Sequence, residues 1–248
     1  VPGGVHAGRP WAELNGPELN GPELNGPELN GPELNGPELS DPEEADATPD
    51  LAIGVGPHPL PWPDDDRLDP ELLAGGDRRN VVDRYRYWRV AAIVADLDQR
   101  RHPFAVAIEN WQHDANIGTV VRTANAFLAA EVVIVGRRRW NRRGAMVTDR
   151  YQHLVHCPDV VDLAEHCRRA GRPLVAIDNL PGADPIETAV LPREVTFLFG
   201  QEGPGLTDAA RAAAGRTLSI AQFGSTRSIN AGVAAGIAMH AWIRQHAR

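Results

Sequence analysis

From His102 onward, short apolar runs alternate with segments of helical periodicity, and this alternation limits the chain more than any other feature. Runs at 104–108 (FAVAI), 132–135 (VVIV), 154–156, 173–177 (PLVAI), 195–199 (VTFLF) and 218–220 read as strands. Between and after them, 117–129, 160–170, 206–214 and 228–245 carry apolar residues at helical spacing. Strands that are apolar on both faces and separated by helices cannot pair as hairpins. They predict an α/β fold, a mostly parallel sheet with helices on both faces. Ligands of such sheets sit in the crevice at the carboxyl ends of the strands, so the segments that follow each strand are where chemistry is expected.

The N-terminal part reads differently. Residues 15–39 are five tandem copies of Asn-Gly-Pro-Glu-Leu. A short period suggests a solenoid, but each copy holds a proline that removes a backbone donor, and the stretch is too small for its own core. Residues 1–76 hold 16 acidic side chains against two arginines, a net of −14, and are expected to form a disordered, acidic Pro/Gly-rich tail. Residues 77–248 hold 17 acidic and 23 basic groups, a net of +6, so the overall −8 describes neither part. A positive body suits a polyanionic partner. Residues 77–101 are expected to be a helical extension, with Tyr85, Tyr87 and Trp88 among arginines that could stack on bases or simply pack.

Cys157 and Cys167 give no disulfide framework, and the N-terminus lacks a basic start followed by an apolar run. No apolar stretch approaches the roughly 18 residues of a membrane span. A cytoplasmic protein without membrane contact is expected. His153, His156, Cys157, His166 and Cys167 do not match zinc-site spacing, and no metal is expected.

Three strand-end segments carry the chemical signal. In 108–127 (IENWQHDANIGTVVRTANAF), Asn116 and Gly118 mark the turn into a helix, and Arg122 and Asn125 follow near the face of Asn116. An arginine held there presents a fixed fork of donors suited to phosphate. In 197–206 (FLFGQEGPGL), an apolar strand runs into Gly200, Gly203 and Gly205, which allow close backbone approach to a ligand, and into Glu202. In 218–236 (LSIAQFGSTRSINAGVAAG), a short strand gives way to a polar loop, and Ser228 and Asn230 open a helix of small residues.

In this order the three segments resemble the three motifs of the SpoU family of RNA ribose methyltransferases, in the SPOUT superfamily. The matching residues are Asn116 to Ala124, Phe199 to Leu206, and Ile220 with Ser228-Ile229-Asn230. The resemblance covers Phe104 to the C-terminus and implies a methyltransferase domain over 102–248. It also implies a C-terminal trefoil knot, a homodimer, S-adenosylmethionine as cofactor, and transfer or ribosomal RNA rather than DNA as partner. Carried over by residue, it gives Arg122, Asn116, Glu202, Ser228 and Asn230 catalytic roles. It gives the cofactor Ile177, Asp178, Asn179, Gly200, Ile220, Ser228 and Ile229. Two departures stand out: Ala221-Gln222 follows Ile220 where the family commonly has Pro-Met, and Ala231-Gly232 replaces the usual Val-Ser.

The most basic stretch, 137–151 (RRRWNRRGAMVTDRY), follows the second strand. Arg137, Arg138, Arg139, Arg142 and Arg143 around Trp140 are expected to contact RNA. Two other classes compete. A catalytically inactive RNA-binding module of the same fold would have lost affinity for the cofactor. A nucleotide-dependent dehydrogenase is disfavoured because no Gly-x-Gly-x-x-Gly follows the first strand.

Overall fold

The computed structural model describes residues 54–112, 114–201 and 203–247. The pentapeptide repeats, the rest of 1–53, and Glu202 lie outside the described residues.

Strand β1 (Phe104–Asn110) is buried along its whole length, as the apolar run 104–108 suits in a central parallel strand. Around it form β2 (Val132–Gly136), β3 (Leu154–Cys157), β4 (Leu174–Ile177), β5 (Asp184–Pro185), β6 (Val195–Phe199) and β7 (Arg216–Ser219). Their order in the sheet is β3-β2-β1-β6-β4-β7-β5, and every pair is parallel. β6 therefore inserts between β1 and β4, with Phe104 to Ile108 set against Val195 to Phe199.

The period-two alternation of β1 and β6 divides the core. Phe104, Val106, Ile108, Phe197 and Phe199 face one layer, formed by α3 (Ile117–Ala126) and α6 (Ala231–His246). Ala107 and Leu198 face the other, formed by α4 (Val160–Arg169) and α5 (Asp208–Ala213). Helices thus cover both faces, as the alternation predicts. No helix among the described residues is long and apolar enough to cross a membrane.

Three helix ends differ from their sequence-based bounds. α3 stops at Ala126 because Leu128 turns into the left-handed region (φ 55), which lets the Ala129 N–H reach the Ala124 carbonyl. α5 begins only after Thr207, whose hydroxyl caps it by accepting from the Ala210 N–H at 3.2 Å. α6 begins at Ala231 rather than Ser228, because Asn230 is the cap and its side chain accepts from the Gly232 and Val233 N–H groups.

The region before β1 departs further from expectation. Residues 54–76, read as tail, take a defined path: α1 (Pro70–Gly75) buries Leu73, and Val55 pairs antiparallel with Asp77. Asp77 is fully buried. Its carboxylate accepts from the Arg79 guanidinium at 2.7 and 2.8 Å and from the Tyr87 N–H at 2.9 Å. That last bond breaks the helical extension expected over 77–101. Tyr87 adopts φ 63, leaving a single 3-10 turn (Asp83–Tyr85) before α2 (Val90–Asp98). The aromatics that could have stacked on bases are engaged within the chain. Tyr85 is buried and donates to Asp96 at 2.5 Å, the Tyr87 hydroxyl donates to the Gly56 carbonyl at 2.6 Å, and Arg67 stacks on Trp88 at 4.3 Å.

Candidate active site

The carboxyl ends of β4, β6 and β7 meet the start of α6 around a cavity of about 380 Å³. Ile177, Asp178, Asn179, Gly200, Ile220, Ser228 and Ile229 all line it, together with Asn230. The sequence-predicted cofactor set, drawn from three distant segments, thus converges on one space. Hydrogen bonds fasten the segments that leave the strands. The Ile220 N–H donates to Asn179 Oδ1 at 3.2 Å, and the Asp178 N–H donates to the Leu218 carbonyl at 3.0 Å.

The glycine-rich loop after β6 folds back on itself, the Gly205 N–H donating to the Gln201 carbonyl at 3.2 Å. A Cβ on Gly200 would lie 2.2 Å from the Gly205 carbonyl carbon and 2.3 Å from the Leu206 nitrogen, so only glycine fits there. Gly203 (φ 89) and Gly205 (φ 72) supply the left-handed turns that close the loop.

Sequence reasoning missed the group that holds this loop. Glu109, fully buried at the end of β1, accepts from the Thr207 N–H at 2.8 Å, the Thr207 hydroxyl at 2.7 Å and the Trp111 indole N–H at 2.9 Å. Three residues along, the Gln112 N–H donates to Gln201 Oε1 at 2.8 Å. The end of β1 therefore fastens the loop at both of its ends. A lone carboxylate closing an apolar strand was the available signal, because a buried charge needs dedicated donors.

Asn116 and Asn230 are brought together, the Asn230 Nδ2 donating to Asn116 Oδ1 at 2.8 Å. Gly232 approaches Thr119 closely enough that a Cβ would lie 3.0 Å from its methyl, which sets α6 tightly against α3. Arg122 is not part of the cavity wall. It is exposed on α3 and makes no hydrogen bond or ion pair among the described residues.

The basic loop is anchored at its base and free at its tip. Asn110 Nδ2 donates to the carbonyls of Arg137 (2.7 Å) and Arg139 (2.9 Å), and the Asn141 N–H donates to Asp114 at 2.7 Å. Gly118 packs directly on the Gly144–Ala145 backbone. Arg137, Arg138, Arg139 and Arg143 are exposed and have no ion pair among the described residues. Arg142 pairs with Asp149 at 3.2 Å and lies 5.7 Å from the ring centre of the half-buried Trp140.

Comparison with known proteins decides what this arrangement belongs to. Residues 103–240 match the SpoU rRNA Methylase family. The chain belongs to that family. It is 29% identical over 202 residues to an uncharacterised tRNA/rRNA methyltransferase of Mycobacterium marinum, covering 75% of this chain and 61% of the relative. It is 26% identical over 160 residues to the tRNA (guanosine(18)-2'-O)-methyltransferase of Escherichia coli K12, covering 63% of this chain and 70% of that one. Among solved structures it resembles the SpoU methyltransferase AviRb of Streptomyces viridochromogenes in complex with AdoMet. There the identity is 27% and the TM-score 0.52, with 60% of each chain covered. An AdoMet-bound rRNA methyltransferase of Sinorhizobium meliloti is 25% identical with a TM-score of 0.53, covering 62% of this chain and 61% of that one. This SpoU-family chain spans about three fifths of the length of the mycobacterial relative.

Proposed function

We propose that this chain transfers a methyl group from S-adenosylmethionine to a ribose 2'-hydroxyl of transfer or ribosomal RNA, acting as a cytoplasmic homodimer. The observation that carries this reading is the convergence of the seven cofactor-assigned residues on one cavity at the strand ends. The cavity fits the group: its volume is in the range of small-molecule sites, and Gly200 lets the Gly205–Leu206 backbone fold closely against the end of β6 to shape its wall. Ile177, Asp178, Asn179, Gly200, Ile220, Ser228 and Ile229 would hold the cofactor, mostly through main chain. The insertion of β6 between β1 and β4, beside the β4–β7 pair, supports the knotted topology that the family implies.

When bound, the cofactor supplies an electrophilic methyl group for the ribose oxygen. The chain must orient that oxygen and offset the charge that it gains as its proton leaves. Asn116 and Asn230, joined to each other beside the cavity, would orient the reacting hydroxyl with Ser228, and Glu202 would complete their surroundings. Arg122 would stabilise the developing negative charge or clamp the neighbouring phosphate. A guanidinium stays protonated in proteins, so charge stabilisation is the easier role. Arg137, Arg138, Arg139, Arg142 and Arg143 with Trp140 would hold flanking RNA. The groove between α3 and α6, edged by the exposed Val233 and Ile237, supports a second copy as the occupant of that face.

The test is a map of ribose methylation across all RNAs with and without the gene, paired with methyl transfer by the purified chain. One or more sites lost with the gene, and restored by wild-type protein but not by Arg122→Ala, is the expected result. An Arg122→Ala chain that binds RNA and methylates at the wild-type rate would overturn the role of Arg122. An unchanged methylation map would overturn the function.

A further inference from the structure

The basic stretch that follows β2 turns at two apolar residues. Met146 (φ 48) and Val147 (φ 69) are consecutive and both left-handed. In that conformation a side chain crowds its own backbone, and a β-branched residue is rarely found there. Hydrogen bonds hold the strained turn from both sides. The Met146 N–H donates to the Arg143 carbonyl at 3.2 Å, the Thr148 hydroxyl to the Ala145 carbonyl at 2.6 Å, and the Arg150 N–H to the Val147 carbonyl at 3.2 Å.

The core gains little from this arrangement. Met146 is 56% and Val147 50% exposed, so the turn holds two apolar side chains toward solvent. It does so on a fixed mount. Ala145 is fully buried, and the Gly144–Ala145 backbone packs on Gly118, the second residue of α3. The cap of that helix is Asn116, which Asn230 holds. Strain that packing does not reward, kept rigidly beside a site, points to a use for the surface it presents.

The surrounding charge identifies the occupant. Arg142 and Arg143 precede the pair and Arg150 follows it, all three exposed, and Arg143 and Arg150 have no ion pair among the described residues. Apolar side chains flanked by cations complement a nucleotide, whose base offers a flat face and whose backbone is anionic. A two-fold contact between copies centred on the pair would set the same arginines against each other. A base stacked within a duplex hides its faces, so only an unstacked one can use the pair.

We propose that Met146 and Val147 form a seat for an unstacked nucleobase flanking the reacting nucleotide, which makes unpaired RNA the substrate. The inference rests on the RNA methyltransferase reading above.

The experiment measures binding of the full chain to a mixed-sequence RNA oligomer, single-stranded and annealed to its complement, alongside melting curves and sedimentation. Met146→Asn with Val147→Asn tolerates the left-handed turn and removes the apolar surface. It is expected to bind the single strand about five-fold or more weakly and the duplex within about two-fold of wild type. The slope of log K against log salt should stay the same, since no arginine is altered. The melting temperature should match or exceed that of wild type, because the strain is relieved. Met146→Leu with Val147→Ile keeps the apolar surface and should bind the single strand within about two-fold of wild type. The proposal is overturned if M146N/V147N binds the single strand as tightly as wild type, weakens on both RNAs equally, melts several degrees lower or changes oligomeric state. It is overturned equally if M146L/V147I binds as weakly as M146N/V147N. A wild-type chain that binds neither RNA overturns the RNA reading, and this inference with it.

Discussion

The side-chain amide of Asn230 donates to Asn116 Oδ1 at 2.8 Å, while its own oxygen accepts from the Gly232 and Val233 N–H groups. One side chain thereby caps α6 and couples the segment after β1 to the segment after β7.

These two jobs can be separated. Asn230→Ala removes both and should cost about 1 kcal/mol for the cap alone, or roughly 2–4 °C in Tm for a domain of this size. Asn230→Ser keeps a good cap but cannot reach Asn116 in the same way. It should hold Tm near the wild-type value and still lose methyl transfer by about ten-fold or more. Thermal unfolding and a methyl-transfer assay read the two separately, and full activity in Asn230→Ser would remove the coupling.

The glycine loop offers a contrast between space and conformation. Gly200→Ala must push a Cβ into the Gly205–Leu206 backbone and should reduce S-adenosylhomocysteine affinity by about ten-fold or more. Gly203→Ala meets nothing within 4 Å and suffers only its left-handed φ of 89, a strain of about 1–2 kcal/mol. It should bind within a few-fold of wild type. Equal losses in both variants, measured by calorimetry, would refute the close-approach argument.

Acid stability should report on Asp77. Burial works against its ionisation, but the Arg79 guanidinium and the Arg79 and Tyr87 N–H groups prevail and hold its pKa at about 2, below the ordinary 3.8. The folded-state value is depressed. The stability it contributes is therefore complete above about pH 4 and is lost as pH falls toward 2. Asp77→Asn should be less stable than wild type at neutral pH, and the gap should close between pH 4 and pH 2. Urea unfolding across that range checks it; a gap independent of pH would contradict it.

The free tip of the basic loop should act through charge. Arg138→Glu with Arg139→Glu leaves the Asn110 and Asn141 anchors untouched, because those involve main chain at 137, 139 and 141. RNA affinity should fall, and the slope of log K against log salt should become shallower by about 0.7–0.9 for each phosphate that the loop no longer neutralises. Filter binding across salt concentrations measures this, and an unchanged slope would exclude the loop from the interface.

Sequence pattern reached the sheet because it is written in local signals, and the family resemblance of the motifs reached the residues of the cavity wall. Residues 104–108 and 132–135 are unbroken apolar runs, and Gly200 and Ile220 sit where strands end. It failed where a local signal was absent or misleading. The end of α3 is set by Leu128 in a conformation usually given to glycine, so nothing in the residue type announces it. Tyr85, Tyr87 and Trp88 have the composition of a stacking surface, yet Asp96, the Gly56 carbonyl and Arg67 respectively engage their side chains, and those partnerships are made by tertiary contact. Residues 54–76 are too polar to suggest a core of their own, and they are held mainly by backbone bonds and one buried carboxylate. The exposure of Arg122 likewise follows from how α3 is rotated on the sheet, which spacing alone leaves open.

Glu109 and Thr207 stand 98 positions apart, yet the loop between β6 and α5 is fastened to the rim of β1 through that pair. For anyone building chimeras, strand and loop are therefore a single transplantable part. A loop borrowed from a relative would arrive without its acceptor unless position 109 travelled with it. Evolution faces the same constraint, so drift at either position is expected to be answered at the other.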